Sequence, residues 1–293
     1  MHASLDKVEW QMAKRVPNEK AIQLILVGCG NIGSALLKGW LESGYDPEEI
    51  AVVEPNQKAR DQIPKKLSLH IFENHKQIPE SVNIRVVVNA VGNWALTEVL
   101  QRYRRHTDAD ALMVAVTTGK TMDFYEKHLG QRAAIVRAIP SLASEIGFGT
   151  TVAISNVNVS ADDRGLCDQL FSSLGDLIWL TKERDMHTAG ALSGVSSLFA
   201  FAMADSLSKV GSEFGLSHEL TTRISGGAIA GAGALIREKQ GKLLSLSKKV
   251  SAAESPNMHA IKASLDDDVF SVLVANAFKA ARQRSREMSL GPF

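Results

Sequence analysis

The chain has 293 residues, a formal net charge of +1 at pH 7, 45% hydrophobic residues and 22% charged residues. This balance of charge excludes a global field that would attract nucleic acid or a membrane surface, and the composition is that of a globular protein. The length exceeds what one hydrophobic core usually supports, so we expect two domains. The two cysteines, Cys29 and Cys167, form no Cys-x-x-Cys pair, which favours a reducing compartment over a disulfide framework.

Residues 1–20 are charged and mixed, and they lack the continuous apolar core of a signal peptide. We interpret them as an N-terminal extension. No later stretch reaches about 18 uninterrupted apolar residues. The sequence therefore predicts no transmembrane helix, no membrane partner and a cytoplasmic protein.

A predicted apolar strand at 22–27 leads into a Gly-x-Gly-x-x-Gly loop and the predicted amphipathic helix Asn31–Glu42. Gly28 permits the tight turn, Gly30 lets a pyrophosphate approach the backbone, and Gly33 lets the helix pack closely on the strand. The free N–H groups and positive dipole end of the helix would face the phosphates. Because strand and helix flank the loop, it predicts a dinucleotide-binding site rather than a plain glycine-rich turn.

A second predicted strand, Ile50–Val53, ends at Glu54. This acid lies about 20 residues past the last glycine, where a carboxylate accepts hydrogen bonds from the adenine ribose hydroxyls. A carboxylate there would repel a 2′-phosphate, so we expect NADH as the cofactor. Lys58 and Arg60 keep NADPH open, because a nearby cation would receive that phosphate. The alternative is a solvated turn acid beside Pro55.

Short apolar runs alternate with helical patterns as far as residue 155. Most runs are continuous rather than alternating, which is typical of parallel strands buried on both faces. The pattern predicts an α/β fold with a Rossmann-type doubly wound sheet, the dinucleotide-binding domain, at residues 21–181. Its further predicted strands are 69–71, 85–91, 112–117, 134–139, 151–154 and 177–180, and its further predicted helices are 94–103, 122–128 and 161–174.

After residue 181 the pattern changes to long helices at 184–214, 217–239, 242–253 and 266–288. It predicts an all-helical domain at 182–293, with Ser217 as an N-cap. The small residues at 225–234 cost helix stability, so we expect close helix–helix contact or a nearby ligand there. A domain with so little outside its long helices lacks a core of its own. We therefore expect a homodimer or a higher homo-oligomer formed through these helices.

Several motifs, taken in order, carry a family resemblance over about residues 22–288. Residues 28–32, Gly-Cys-Gly-Asn-Ile, are similar to the family's Gly-x-Gly-Asn-Met. Ala90-Val91 stands where the family has Ala-Val-Lys-Pro. Residues 135–141 are similar to Val-Val-Arg-x-Met-Pro-Asn, 147–150 to Gly-x-Gly-x-Thr, and 191–197 to Ala-Leu-Ser-Gly-Ser-Gly-Pro. Together they resemble the pyrroline-5-carboxylate reductase family.

The resemblance implies hydride transfer from C4 of a reduced nicotinamide to the imine carbon of a cyclic imino acid, 1-pyrroline-5-carboxylate, which gives proline. The cofactor supplies the hydride and the protein orients it. The predicted cofactor-binding residues are Gly28, Cys29, Gly30, Asn31, Ile32, Gly33, Glu54, Asn56, Ala90, Val91 and Asn93.

The substrate carboxylate has to be held, and hydroxyls or N–H groups at a helix start suit that role. Ser193, Ser196 and Ser197 are the candidates, because we expect them to open the long central helix. Read without the family, the same serines are helix-capping residues.

The chain departs from the family pattern at several positions, and one of them, at 251–259, replaces a loop that faces the substrate in the family. Gly92-Asn93 replaces Lys-Pro, and residues 251–259 replace a Ser-Pro-Gly-Gly-Thr-Thr loop. Asn257 would replace one donor of that loop, and His259 would donate a proton near neutral pH. The alternative for His259 is a surface histidine.

Three functions therefore stay open. They are reduction of 1-pyrroline-5-carboxylate, reduction of a different cyclic imine or keto substrate, and a regulatory role for a catalytically weak NAD(H)-binding relative. We expect no metal, because the carboxylates at 266–268 fit the start of a helix, where the helix dipole favours acids.

Overall fold

The computed structural model describes residues 22–64, 68–80, 82–108, 110–239 and 268–290. The predicted N-terminal extension, the predicted helix 242–253 and the loop that carries Asn257 and His259 lie outside these ranges. Each remains a prediction from the sequence.

An eight-stranded sheet organises the first part of the chain, in the order β3-β2-β1-β4-β5-β6-β7-β8. Strands β1 to β6 run parallel, in a register that sets Leu24 of β1 beside Ile50 of β2 and Val86 of β4. All eight predicted strands are present. They are β1 Leu24–Val27, β2 Ile50–Val53, β3 His70–Phe72, β4 Val86–Asn89, β5 Leu112–Ala115, β6 Ile135–Pro140, β7 Gly149–Ser155 and β8 Gly175–Trp179.

Helices cover both faces of this sheet, which confirms the doubly wound α/β fold. The helices are α1 Asn31–Glu42, α2 Gln57–Arg60, α3 Leu96–Thr107, α4 Met122–Leu129, α5 Ala161–Ser172, α6 Met186–Glu213, α7 His218–Glu238 and α8 Val269–Leu290. Strands β1, β2, β4 and β5 are buried along their whole length, as their continuous apolar runs predicted. One core lies between the sheet and α1 and α5, and the other between the sheet and α3 and α4.

Strand β7 departs from the parallel arrangement that its apolar run predicted. It pairs antiparallel with β6, and β8 then pairs parallel with β7. The connection at 141–148 holds only the short 3₁₀-helix Leu142–Ile146 and a left-handed turn at Gly147, where φ is +73°. A parallel crossover needs a dozen or more residues, so this short connection reverses the chain.

Within residues 186–239 and 268–290, helices α6 and α7 form a hairpin and α8 packs against α6. Ser217 caps α7 as predicted, because its side chain accepts a hydrogen bond from Leu220 N at 3.3 Å. A hydroxyl cluster joins the two helices: Ser208 Oγ lies 2.9 Å from Thr221 Oγ1, and Ser212 Oγ lies 3.3 Å from the same atom. These contacts fix how α6 and α7 pair.

The segment Glu183–Glu213 comprises the 3₁₀-turn Glu183–Asp185 and α6, and it has a mean hydropathy of 1.3 in an 18-residue window. By length and composition alone it is apolar enough to cross a membrane, as the core helix of a globular protein also is. Serines interrupt its apolar residues, so the sequence shows no uninterrupted apolar run there. Only 11% of the window is buried, and large apolar side chains are exposed along α6, α7 and α8.

Candidate active site

The glycine loop turns the chain from β1 into α1, and two of its glycines are required by backbone contacts. Gly28 has a φ of +88°, and a Cβ there would lie 3.0 Å from Ala90 O. A Cβ on Gly33 would lie 2.1 Å from Gly28 O. Gly30 differs, because a Cβ there would meet no atom of the described chain within 4 Å. The open side of the loop is therefore at Gly30.

Gly30 is the N-cap of α1 and supplies no side-chain cap. The first turn closes when Ser34 N donates to Gly30 O at 2.8 Å. As at the start of every α-helix, the N–H groups before that bond have no intrahelical acceptor. Together with the positive end of the helix dipole, these N–H groups make the loop a site for an anion such as a pyrophosphate.

Glu54 joins the glycine loop to the segment after β2. Its Oε2 accepts a hydrogen bond from Cys29 N at 2.7 Å, and its Oε1 accepts one from Asn56 N at 2.8 Å. The residue is 8% exposed, so the alternative of a solvated turn acid is wrong. The side chain of Asn56 in turn caps α2 by accepting from Lys58 N at 2.9 Å. The carboxylate is thus held at the edge of the loop.

Arg60 brings a cation to the same corner. Its Nη1 donates to Glu54 O and to Pro55 O, both at 2.7 Å. Lys58 lies nearby on the exposed side of α2. The corner therefore holds an acid that suits a free ribose and a guanidinium that suits a 2′-phosphate.

Cys29 is a packed loop residue. Burial, with a smaller contribution from the charge of Glu54, raises the pKa of its thiol to about 11. The thiol is therefore protonated at neutral pH and is no nucleophile.

A cleft of about 340 Å³ opens beside the loop at the carboxyl ends of β4, β5 and β6. The sheet order places β2 on one side of β1 and β4 on the other, and ligands of open α/β sheets bind at such a switch point. The predicted residues in the lining are Asn31, Ile32, Ala90, Val91 and Asn93. The lining also contains Thr117, Thr118 and Pro140, which no sequence motif marks; their signal was their place at the carboxyl ends of neighbouring strands.

The Gly92-Asn93 pair, where the family has Lys-Pro, shapes one rim of this cleft. Asn93 Nδ2 donates to Thr118 O at 2.8 Å, so the loop after β4 is tied to the loop after β5. A Cβ on Gly92 would lie 2.7 Å from Trp94 Nε1. Because Gly92 has no Cβ, the Trp94 indole can lie against the rim. Trp94 is 83% exposed.

The predicted substrate serines do not open α6, which begins at Met186. The helix begins directly after the 3₁₀-turn Glu183–Asp185, so Ser193 to Ser197 lie about two turns inside it. Ser196 Oγ donates to Leu192 O at 2.7 Å and Ser197 Oγ to Ser193 O at 3.4 Å. The serines therefore neither cap the helix nor offer free N–H groups, and only their hydroxyls remain available to a ligand.

Metal ligands do not cluster in the part of the chain that the structure describes. In those ranges no three His, Cys, Asp or Glu side chains come together in a way that would hold an ion.

An open sheet with a glycine loop at its switch point, an acid after β2 and long helices behind it defines the dinucleotide-binding oxidoreductases with a helical C-terminal region. The model of a family described as pyrroline-5-carboxylate reductase dimerisation matches residues 183–288. A second model, described as NADP oxidoreductase coenzyme F420-dependent, matches residues 22–119. The first model, together with the relatives that follow, supports this chain as a member of the pyrroline-5-carboxylate reductase family.

Individual relatives agree over nearly the whole chain. The chain is 26% identical to a pyrroline-5-carboxylate reductase of Pseudomonas aeruginosa, over 91% of this chain and 97% of the relative. A solved structure of a pyrroline-5-carboxylate reductase from Coxiella burnetii is 25% identical, with a TM-score of 0.84 over 93% of this chain and all of that one. The Plasmodium falciparum pyrroline carboxylate reductase, solved with NADP bound, is 24% identical, with a TM-score of 0.75 over 92% of this chain and 99% of that one.

Proposed function

We propose that the protein is an NAD(P)H-dependent oxidoreductase that reduces the C=N bond of a cyclic imino acid, 1-pyrroline-5-carboxylate, to give proline. One observation carries this proposal. The cleft adjoins the glycine loop at the switch point of the sheet. The chain that forms this site matches a solved pyrroline-5-carboxylate reductase over 93% of its length. The reaction needs a hydride at the imine carbon and a proton at the nitrogen.

A reduced nicotinamide cofactor supplies the hydride, and this chain's own residues bind and orient it. The N–H groups of the loop from Gly28 to Gly33 receive the pyrophosphate. Glu54 and Asn56 lie on the β2 side, where the adenosine half belongs. Ala90, Val91 and Asn93 line the cleft on the β4 side, where the nicotinamide half belongs. The held carboxylate of Glu54 favours NADH, and Arg60 gives NADPH a point of contact.

The substrate-holding groups remain proposals. Ser193, Ser196 and Ser197 would offer hydroxyls to the substrate carboxylate from α6, and Asn257 and His259 would act from the loop at 251–259. A protonated imine is already electrophilic, so binding and orientation are the main tasks. His259 would hold the proton for the imine nitrogen near neutral pH.

The helical region is proposed as the interface of a homodimer or a higher homo-oligomer. The dimerisation model of the family covers residues 183–288, which include α6, α7 and α8. The large apolar side chains exposed on these helices need a partner to bury them. We place the domain boundaries at 1–20, 21–181 and 182–293, in a cytoplasmic protein.

A related imine or keto substrate is a second candidate. Gly92 and Asn93, at the rim of the cleft, stand where the family has Lys-Pro, so this rim differs in shape and charge. A changed rim with an intact glycine loop is what a changed substrate would require. The same change would also fit a relative that binds NAD(H) and regulates a partner.

Purified protein, NADH and a panel of acceptors separate these functions. Loss of NADH absorbance with 1-pyrroline-5-carboxylate supports the proposal. Turnover only with six-membered imines or keto acids supports the second candidate. NADH binding measured by calorimetry without turnover on the whole panel supports the regulatory role.

A further inference from the structure

An ion pair between a buried arginine and a part-exposed glutamate connects the sheet to the start of the helical region. Arg137 on β6 is 1% exposed, and its Nη1 donates to Oε1 of Glu183, in the turn before α6, whose side chain is 36% exposed. Removal of either partner would leave a charge uncompensated. The pair therefore holds β6 and the beginning of α6 together.

The same carboxylate oxygen also holds the beginning of α4. Glu183 Oε1 accepts a hydrogen bond from the backbone N–H of Met122, the first residue of that helix, at 3.1 Å. A negative charge at a helix N-terminus is favoured by the helix dipole. One side chain thus fixes three elements: β6, α4 and the turn before α6.

The segment between β5 and α4 forms a wall of the cleft through Thr117 and Thr118. The hydroxyls of Thr117 and Tyr125 of α4 are hydrogen-bonded, and the charges of Arg137 and Glu183 both act on Tyr125. Tyr125 is fully buried. A hydrogen bond therefore ties Thr117 of the cleft wall to Tyr125 of α4, and the charges of Arg137 and Glu183 lie close enough to affect the pKa of that phenol.

Two polar atoms of this pair have no hydrogen-bond partner among the described residues, Arg137 Nε and Glu183 Oε2. Unpaired buried atoms cost stability. What the contacts do show is which elements they join: Glu183 Oε1 bonds Arg137 of β6 and the first N–H of α4, directly after the cleft wall.

We infer that Glu183 is a positioning residue for the nicotinamide half of the cofactor. By holding the N-terminus of α4 through Met122 and pairing with Arg137, it sets Thr117 and Thr118 at the distance the nicotinamide ring requires. The adenosine half lies on the far side of β1, beside Glu54, and does not depend on this wall. The inference rests on the cofactor binding that is proposed above.

The test compares two ligands that differ only in the nicotinamide, NADH and ADP-ribose, with NADPH and 2′-phospho-ADP-ribose as a second pair. Binding to the full-length protein is measured by calorimetry for the wild type and for Glu183→Gln. We expect Kd for NADH to rise about tenfold in the variant, and Kd for ADP-ribose to stay within about twofold. Equal loss on both ligands, or no loss on either, would overturn the inference.

Tyr125→Phe is the second variant, because it removes one hydroxyl and keeps the buried ring. We expect a rise of about threefold in Kd for NADH alone. It decides the question if Glu183→Gln does not fold, and an unchanged ratio of the two Kd values would count against the inference. Asp163→Asn is the control, because it breaks another ion pair away from the cleft. Asp163 Oδ1 lies 2.6 Å from Arg85 Nη2, and Arg85 stands at the amino end of β4. We expect that control to lower the melting temperature and leave the ratio of the two Kd values unchanged.

Binding, not turnover, is the readout, so the two proposals fail separately. A wild type that binds NADH and reduces no imine overturns the proposed function and leaves the role of Glu183 standing. A wild type that binds neither NADH nor ADP-ribose overturns both.

Discussion

The backbone N–H of Cys29 donates a hydrogen bond to Glu54 Oε2 across 2.7 Å, so the glycine loop and the acid after β2 hold each other. A second bond, from Asn56 N to Glu54 Oε1, fixes the other carboxylate oxygen. Each oxygen keeps a further lone pair for a ribose hydroxyl. The acid therefore has two roles that one substitution separates, local order of the loop and choice of cofactor.

Replacement of Glu54 by Gln removes the charge and keeps the size of the side chain. We expect the wild type to bind NADH more tightly than NADPH, and the variant to shift the ratio of the two Kd values by about tenfold toward NADPH. The reason is that a carboxylate repels a 2′-phosphate, while Arg60 attracts it. Calorimetric titration with both cofactors measures this ratio.

Glu73, an exposed acid just after β3, provides the control as Glu73→Gln. We expect that variant to keep the wild-type ratio. A wild type that prefers NADPH would contradict the assignment of NADH to this chain.

Gly30 and Gly33 make a matched pair for separating folding from binding. A Cβ on Gly33 would lie 2.1 Å from Gly28 O, so Gly33→Ala should lower the free energy of unfolding by about 3 kcal/mol. A Cβ on Gly30 would meet no described atom within 4 Å and its φ of −73° suits alanine, so Gly30→Ala should unfold close to the wild-type temperature. It should still bind NADH at least about tenfold more weakly, because the new methyl group stands where a pyrophosphate would approach.

Thermal melts and NADH titrations of both variants give the two readouts. Wild-type affinity in Gly30→Ala would mean that the pyrophosphate does not approach the loop at this glycine.

The strands were predictable because parallel strands buried on both faces leave continuous apolar runs in the sequence. The run at 85–91 predicted a longer strand than the observed Val86–Asn89, since its last residues already turn toward the cleft. The antiparallel direction of β7 was not predictable from its composition. It depends on the length of the connection after β6, not on the strand itself.

The site was predictable only where local spacing carries the information. The glycine loop and Glu54 follow from their positions along the chain, whereas Thr117 and Thr118 follow a strand without any motif. The pairing of Arg137 with Glu183 spans 46 residues and two elements, so no periodicity reveals it. The serines of α6 were misplaced because the sequence marks a helix more clearly than its first turn.

Because His106 is buried, we expect the free energy of unfolding to fall in mild acid. Burial, with a smaller contribution from Arg105, lowers the pKa of His106 from 6.5 to about 4 in the folded protein. The unfolded chain therefore binds the proton first, and the stability that the neutral ring contributes falls as the pH drops from about 6.5 toward 4. In His106→Gln the melting temperature should fall less between pH 7 and pH 5, as measured by thermal denaturation at each pH.

His218→Gln, at an exposed histidine at the start of α7, serves as the control and should follow the wild type. If His106→Gln loses as much stability in acid as the wild type does, another group is responsible.

Ser197 tests the substrate site on α6. Its hydroxyl is held only by a long bond of 3.4 Å to Ser193 O, so a ligand carboxylate would displace that bond at little cost. Ser197→Ala should raise KM for the imine by about tenfold and leave Kd for NADH unchanged. Ser206→Ala, at an exposed serine on the same helix, should change neither value. Steady-state kinetics decide it, and unchanged kinetics in Ser197→Ala would remove this serine from the substrate site.

The apolar face of α6 tests the proposed oligomer. Leu198 is 66% exposed and Phe201 is 58% exposed, one helical turn apart, so a partner that covers one also covers the other. If an interface covers both positions, a carboxylate at each would be desolvated without a partner. The Leu198→Glu, Phe201→Glu double variant should therefore dissociate. Light scattering coupled to size-exclusion chromatography measures the mass.

Val157→Glu is the control, at a loop residue of the sheet region that is 97% exposed. It should keep the wild-type mass, because it adds a negative charge outside the helical region. A double variant with the wild-type mass would place the interface on another face, and a monomeric wild type would overturn the oligomer itself.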